Sequence, residues 1–169
     1  MKKEQEKKKS AWALAREILL DIVLCVLVFH FLLIPARVSG TSMEPTLHNG
    51  AIVLTRGTIF GQPKVGDIVI VDDVLGEGSH IIKRVIAAGG DTIDIHDGMV
   101  FRNGELLEET YITAPTETIA GTEYPMTVPE GTYFVMGDNR EVSNDSRNPD
   151  VGTIEKTEVR GVYLVTIKK

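Results

Sequence analysis

Three short stretches carry the side chains with chemical potential. The first, "SGTSMEPTL" at residues 39–47, sets Ser39, Thr41 and Ser42 within four positions on a segment with little helical or strand character. A hydroxyl becomes an effective nucleophile only when a neighbour removes its proton. Histidine is the usual neighbour, but His48, His80 and His96 read as ordinary surface or half-buried residues.

The second stretch, "HIIKRVIAAGG" from residue 80, offers lysine instead. Strand alternation puts Ile81, Lys83 and Val85 on one face and Ile82, Arg84 and Ile86 on the other. An ammonium among apolar groups loses its proton readily, because burial penalises the charged form. Lys83 is therefore the candidate base, although a long lysine stem can also carry its ammonium past apolar neighbours to water. Arg84 cannot discharge and requires a carboxylate partner.

The third stretch, "GDNREVSNDSR" at residues 137–147, follows the apolar run "TYFVM" directly. Two serines, several acids and two arginines are too polar for a plain hairpin. Beside a serine and a lysine they suit a supporting layer, in which a hydroxyl orients the amine and acids fix the arginines.

Strands must position these groups. Short β-branched runs recur at 51, 67, 80, 92, 132 and 159, separated by Gly, Pro and Asp. They predict a mainly β fold, an antiparallel barrel or sandwich. Asp97-Gly98 and Asn103-Gly104 are signals for tight hairpins. Residues 111–131, rich in Thr, Pro and Gly, read as a long loop or small flap. The flap as a whole is expected at about 91–131.

The 169 residues and 43% hydrophobic content suffice for a core, and the lone Cys25 excludes an internal disulfide and a cysteine-rich metal site. The net charge of −6 conceals an asymmetry: residues 1–35 hold six basic against four acidic side chains, and the rest hold twelve against twenty. Such an acidic body argues against a nucleic-acid partner. The basic head "MKKEQEKKK" precedes an apolar segment, Ile18 to Ile34, of near-minimal length for a bilayer. The reading is a cytoplasmic head at 1–16, an uncleaved transmembrane anchor at 17–35 and an extracytoplasmic β domain at 36–169. Lys and Arg before the span and only Arg37 closely after it place the N-terminus in the cytoplasm.

The stretches "SGTSMEPTL", "GDIVIV" at 66, "KRVIAAGGD" at 83 and "GDNREVSNDSR", in this order behind an N-terminal anchor, closely resemble the type I signal peptidases, membrane-anchored serine proteases with a Ser-Lys dyad. The resemblance implies that Ser42 is the nucleophile, Lys83 the general base and Ser143 a hydrogen-bond partner of the lysine amine. Asp138, Asp145 and Arg147 match structural ion-pair positions, with Asp138 expected to pair with Arg84. Gly40 stands where some members carry an oxyanion-stabilising serine. The oxyanion hole is then expected from main-chain N–H groups of Ser42 and Gly40, as in Gram-positive members. The resemblance further implies an extended substrate paired with strand edges at 36–41 and 80–83, and apolar pockets lined by Val38, Met43, Leu47, Ile81 and Ile82. The expected substrates are signal peptides of exported preproteins cut after small residues, with the lipid bilayer as the other partner. A monomer without cofactor or metal is expected.

Two other readings compete. A repressor-type Ser-Lys autoprotease shares the β architecture but would need a DNA-binding head, which residues 1–35 do not offer. A catalytically inactive membrane-anchored β module that binds extracellular peptides would not need both Ser42 and Lys83.

Overall fold

The computed structural model describes residues 2–27, 33–72 and 80–168. Helix α1 (Lys2–Leu27) comes first, followed by strands β1 (Leu33–Arg37), β2 (Ile52–Gly57), β3 (Ile68–Val71), β4 (Ile81–Ala88), β5 (Thr92–His96), β6 (Met99–Arg102), β7 (Glu105–Leu106), β8 (Met126–Thr127), β9 (Thr132–Met136), β10 (Ile154–Glu155) and β11 (Val159–Lys168). Every strand pairing is antiparallel. One sheet orders seven strands as β1-β2-β11-β3-β4-β9-β10, and a smaller one orders four as β7-β6-β5-β8.

The pattern of apolar residues accounts for this arrangement. β3, "IVIV", is buried along its whole length and lies between β11 and β4. Each such side chain contributes roughly 1.5–3 kcal/mol by leaving water. β4 begins with strict alternation: Val69, Val71, Val85 and Ile81 share one apolar cluster, while Ile82 packs with Val38, Met43 and Ile68 in another. A register shift between Val85 and Ala87 then breaks the alternation. The resulting bulge sends both Ile86 and Ala87 into a third cluster with Phe134, Met136, Ile93, Ile95 and Val100. The bulge thus joins the large sheet to the small one.

The small sheet is built from the two tight turns legible in the sequence. Asp97 and Gly98 have φ of 53° and 76°, and Asn103 and Gly104 have 56° and 79°. Positive φ at both central residues is the signature of the primed turn that matches strand twist.

The N-terminal segment departs from the expected anchor at 17–35. Residues 17–27 lie in α1, residues 28–32 fall outside the described residues, and Leu33–Pro35 belong to β1, paired with Leu54–Arg56 of β2. Strand pairing thus takes the last three residues assigned to the span. No helix among the described residues is long and apolar enough to cross a membrane. Arg16, Glu17 and Asp21 interrupt the apolar run within α1. From Ile18 to Leu27 its large apolar side chains are nonetheless exposed on every side.

Candidate active site

The turn that carries Ser42 is held from below by apolar anchors. Val38, Met43 and Leu47 pack with Ala51, Val53 and Ile68. The backbone closes around them: Val38 N–H donates to the Ala51 carbonyl at 2.8 Å, and Gly50 N–H donates to Val38 at 2.9 Å. Gly40 takes φ +87°, a left-handed conformation that favours glycine. Its N–H donates to Asn49 Oδ1 at 3.1 Å. With Met43 and Leu47 fixed inside, the half-buried Ser42 is turned toward a cleft.

Lys83 reaches that serine from β4. Its Nζ lies 2.9 Å from Ser42 Oγ, and the residue is only 3% exposed. Burial drives its pKa below the ordinary lysine value, the Asp145 carboxylate opposes this, and the Arg147 guanidinium assists it. Burial prevails, so the amine is biased toward the neutral form that can accept a hydroxyl proton. His80 is not brought to the serine. Its Nδ1 faces Asp72 at 3.2 Å and its Nε2 faces Arg160 at 3.3 Å.

The loop after β9 locks both partners. Asn139 N–H donates to the Ser42 carbonyl at 3.0 Å, and Asn139 Nδ2 donates to the Thr41 carbonyl at 3.2 Å. Arg84 forks onto Asp138, with Nε–Oδ1 at 2.8 Å and Nη2–Oδ2 at 2.6 Å. Asp138 is 1% exposed. Two parallel charge-assisted bonds fix orientation as well as supplying energy. Asp145 accepts from Arg147 Nε at 2.8 Å and Nη2 at 3.0 Å, and also from Gly137 N–H at 3.0 Å. Gly137 leaves no room for a side chain, since a Cβ there would collide with Ser143 Oγ and the Ser42 carbonyl.

Three expectations are corrected. Ser143 is buried, but its Oγ has no hydrogen-bond partner among the described residues, so the bond to the Lys83 amine is not formed. The hydroxyl lies against Gly137 instead. The Gly40 N–H, expected as an oxyanion donor, is already engaged by Asn49; the Ser42 N–H has no acceptor among the described residues. Leu47 does not line the cleft, because it is a core anchor of the Ser42 turn. Val38, Met43, Ile81 and Ile82 do line it.

Several functional supports were not legible beforehand. Arg140 forks onto Glu109, donates to the Gly137 carbonyl at 3.1 Å and touches Thr116. Glu109 also accepts from the Tyr111 hydroxyl at 2.9 Å, and the Tyr111 ring lies 4.0 Å from the Arg84 guanidinium. Burial, then the Glu109 carboxylate, push the Tyr111 phenol above its ordinary pKa, so it stays a donor. Arg147 donates to the Glu117 carbonyl at 3.2 Å. Three arginines thus staple the 109–117 segment to the loop at 137–147. The only advance signal was the concentration of arginine and acid in that loop.

The cleft holds about 460 Å³ and runs from Ser42 and Lys83 along β1 and the start of β4. Both walls offer backbone. β1 is the end strand of its sheet. β4 pairs with β3 from Ile81 onward but with β9 only from Arg84 onward, so residues 81–83 keep one edge without a strand partner among the described residues.

A buried amine within hydrogen-bond reach of a serine, on a curled antiparallel β scaffold, is the arrangement of a serine hydrolase with lysine as base. The chain belongs to the signal peptidase, peptidase S26 family, whose pattern matches residues 11–167. It is 40% identical to signal peptidase I of Bacillus licheniformis over 94% of this chain and 89% of that one. It is 36% identical to signal peptidase I S of Bacillus subtilis over 95% and 91%. A crystal structure of a signal peptidase I from Enterococcus faecalis superposes with a TM-score of 0.53 at 32% identity, covering 62% of this chain and 98% of that one.

Proposed function

We propose that Ser42 and Lys83 are the catalytic pair with which this serine endopeptidase removes N-terminal signal peptides from exported preproteins. The carrying observation is the 2.9 Å contact between Ser42 Oγ and the buried Lys83 amine. Neutral Lys83 takes the hydroxyl proton as Oγ attacks the scissile carbonyl, forming an acyl-enzyme and releasing the amine of the mature protein, which Lys83 protonates. Lys83 then activates water to hydrolyse the ester. The uncommitted Ser42 N–H is the main-chain donor for the oxyanion, and one such donor contributes about 3 kcal/mol.

The segment before the cut adds itself as a strand between β1 and residues 81–83, with side chains entering pockets at Val38, Met43, Ile81 and Ile82. Close walls favour small residues next to the bond. The chain is membrane-anchored through its N-terminal segment, with the β domain on the outer face. The all-round exposure of apolar side chains from Ile18 to Leu27 supports this, because a helix apolar on every side needs an apolar surrounding. Tethering would bring the cleft to membrane-held substrate.

Ser42→Ala and Lys83→Met are each expected to lower preprotein cleavage on the order of a thousandfold or more, with the folded state retained by circular dichroism. An active Lys83→Met enzyme would overturn the assignment.

A further inference from the structure

Arg160, His80 and Asp72 meet at the end of the cleft away from the catalytic pair. Arg160 is the extra residue of a bulge in β11, where the register with β3 jumps from Val159↔Val71 to Gly161↔Ile70. Bulges re-aim side chains, and this one brings Arg160 to the cleft wall together with His80. Asp72 does not line the cleft. It braces both groups, facing His80 Nδ1 at 3.2 Å and Arg160 Nη1 at 3.5 Å. With Nδ1–H donating to Asp72, His80 Nε2 is an acceptor for Arg160 Nη1 at 3.3 Å. Among the described residues Arg160 makes no hydrogen bond beyond these two, both through Nη1, so its other N–H donors have no partner there.

The position sets which part of a substrate this cation meets. His80 precedes Lys83 by three strand residues, roughly 10 Å. An extended substrate has nearly the same rise, so the residue opposite His80 lies about three positions from the one at Lys83. Ile34, at the start of β1 and next in chain order to the N-terminal segment, lines the cleft as well. A peptide arriving from the membrane side would enter there, which makes the residue in question the fourth before the scissile bond.

We propose that Arg160, held by Asp72 and His80, selects substrates by charge, favouring an acidic or acceptor side chain and disfavouring Lys or Arg at the fourth residue before the cut. The inference rests on the peptidase reading above. Charges facing each other across a half-exposed cleft discriminate strongly enough to measure and are weakened by salt.

The test uses the full chain in detergent and three peptides that differ only at that residue, carrying Gln, Glu or Lys. The readout is the Glu/Lys ratio of kcat/KM within each enzyme, so a general loss of activity cancels. At low ionic strength the wild-type ratio is expected to be about tenfold, shrinking with added salt. Arg160→Glu should invert the ratio. Asp72→Asn, which removes the counter-charge, should raise it, and this opposite response separates charge selection from a structural role. A wild-type ratio near one, or ratios unmoved in both variants, overturns the proposal. Failure of the wild type to cut even the Gln peptide would instead overturn the peptidase reading.

Discussion

The backbone N–H of Asn139 donates to the carbonyl of Ser42 at 3.0 Å, joining the loop after β9 to the turn that presents the nucleophile. Gly137, two residues earlier, lies where a methyl group would strike that same carbonyl and the Ser143 hydroxyl. Gly137→Ala is therefore expected to displace Ser42 from Lys83. Overpacking of this kind costs about 1–3 kcal/mol. Urea denaturation should show that loss, and peptide cleavage should fall by at least tenfold.

Activity should follow the titration of Lys83. Burial lowers its pKa, so kcat/KM is expected to decline as pH falls through a value below that of ordinary lysine, and a pH–rate profile checks this. Stability carries the same sign. Between the lowered folded pKa and the ordinary value the unfolded chain holds the extra proton, so stability rises with pH across that window and the full penalty remains below it. Lys83→Met should abolish this dependence in denaturation curves taken across the window.

The Arg84–Asp138 fork is almost wholly out of water, with side-chain exposures of 12% and 0%. Asp138→Asn leaves a guanidinium without its counter-ion. A loss on the order of 3–5 kcal/mol is expected, and thermal unfolding would reveal it. Combining Arg84→Met with Asp138→Asn should cost less than the sum of the single changes.

Tyr111 covers Arg84, and Glu109 holds both Tyr111 and Arg140. Tyr111→Leu removes the ring face from the guanidinium, worth about 0.5–2 kcal/mol. Glu109→Gln should be the more damaging change, since it removes the counter-ion of buried Arg140 and so releases the 109–117 segment from the loop that bonds Ser42. Comparing kcat with KM distinguishes this from a binding defect: kcat is expected to fall while KM changes little.

Asn49→Ala frees the Gly40 N–H and loosens the turn before Ser42. A loss of about 1 kcal/mol in stability is expected from the missing bond. If the freed Gly40 N–H turns toward the cleft, activity would rise, so steady-state kinetics reports whether the Asn49 contact withholds an oxyanion donor.

Local pattern carried much of this architecture. β-branched runs marked the strands, Asp97-Gly98 and Asn103-Gly104 marked two hairpins, and alternation in β4 singled out both Lys83 and the need of Arg84 for a carboxylate. Contacts that depend on distant segments were not legible. Glu109 and Tyr111 lie in a stretch without periodicity, and their role emerges only when Arg140 arrives from the loop after β9 and Arg84 from β4. The resemblance implied a pocket position for Leu47, whereas its apolar side chain is what the turn needs as an anchor. A hydroxyl as short as that of Ser143 can miss an amine when the backbone shifts slightly, and motif position does not encode such a shift.

The bulge in β4 makes one strand the meeting point of all three apolar clusters, since Val85, Ile82 and Ile86 each enter a different one. The lysine therefore rides on the element whose opening would dismantle the whole interior. Its amide should exchange with deuterium only through global unfolding, while amides at 109–125, outside any strand, exchange by local fraying. Heat should thus remove this base only by melting the entire β domain.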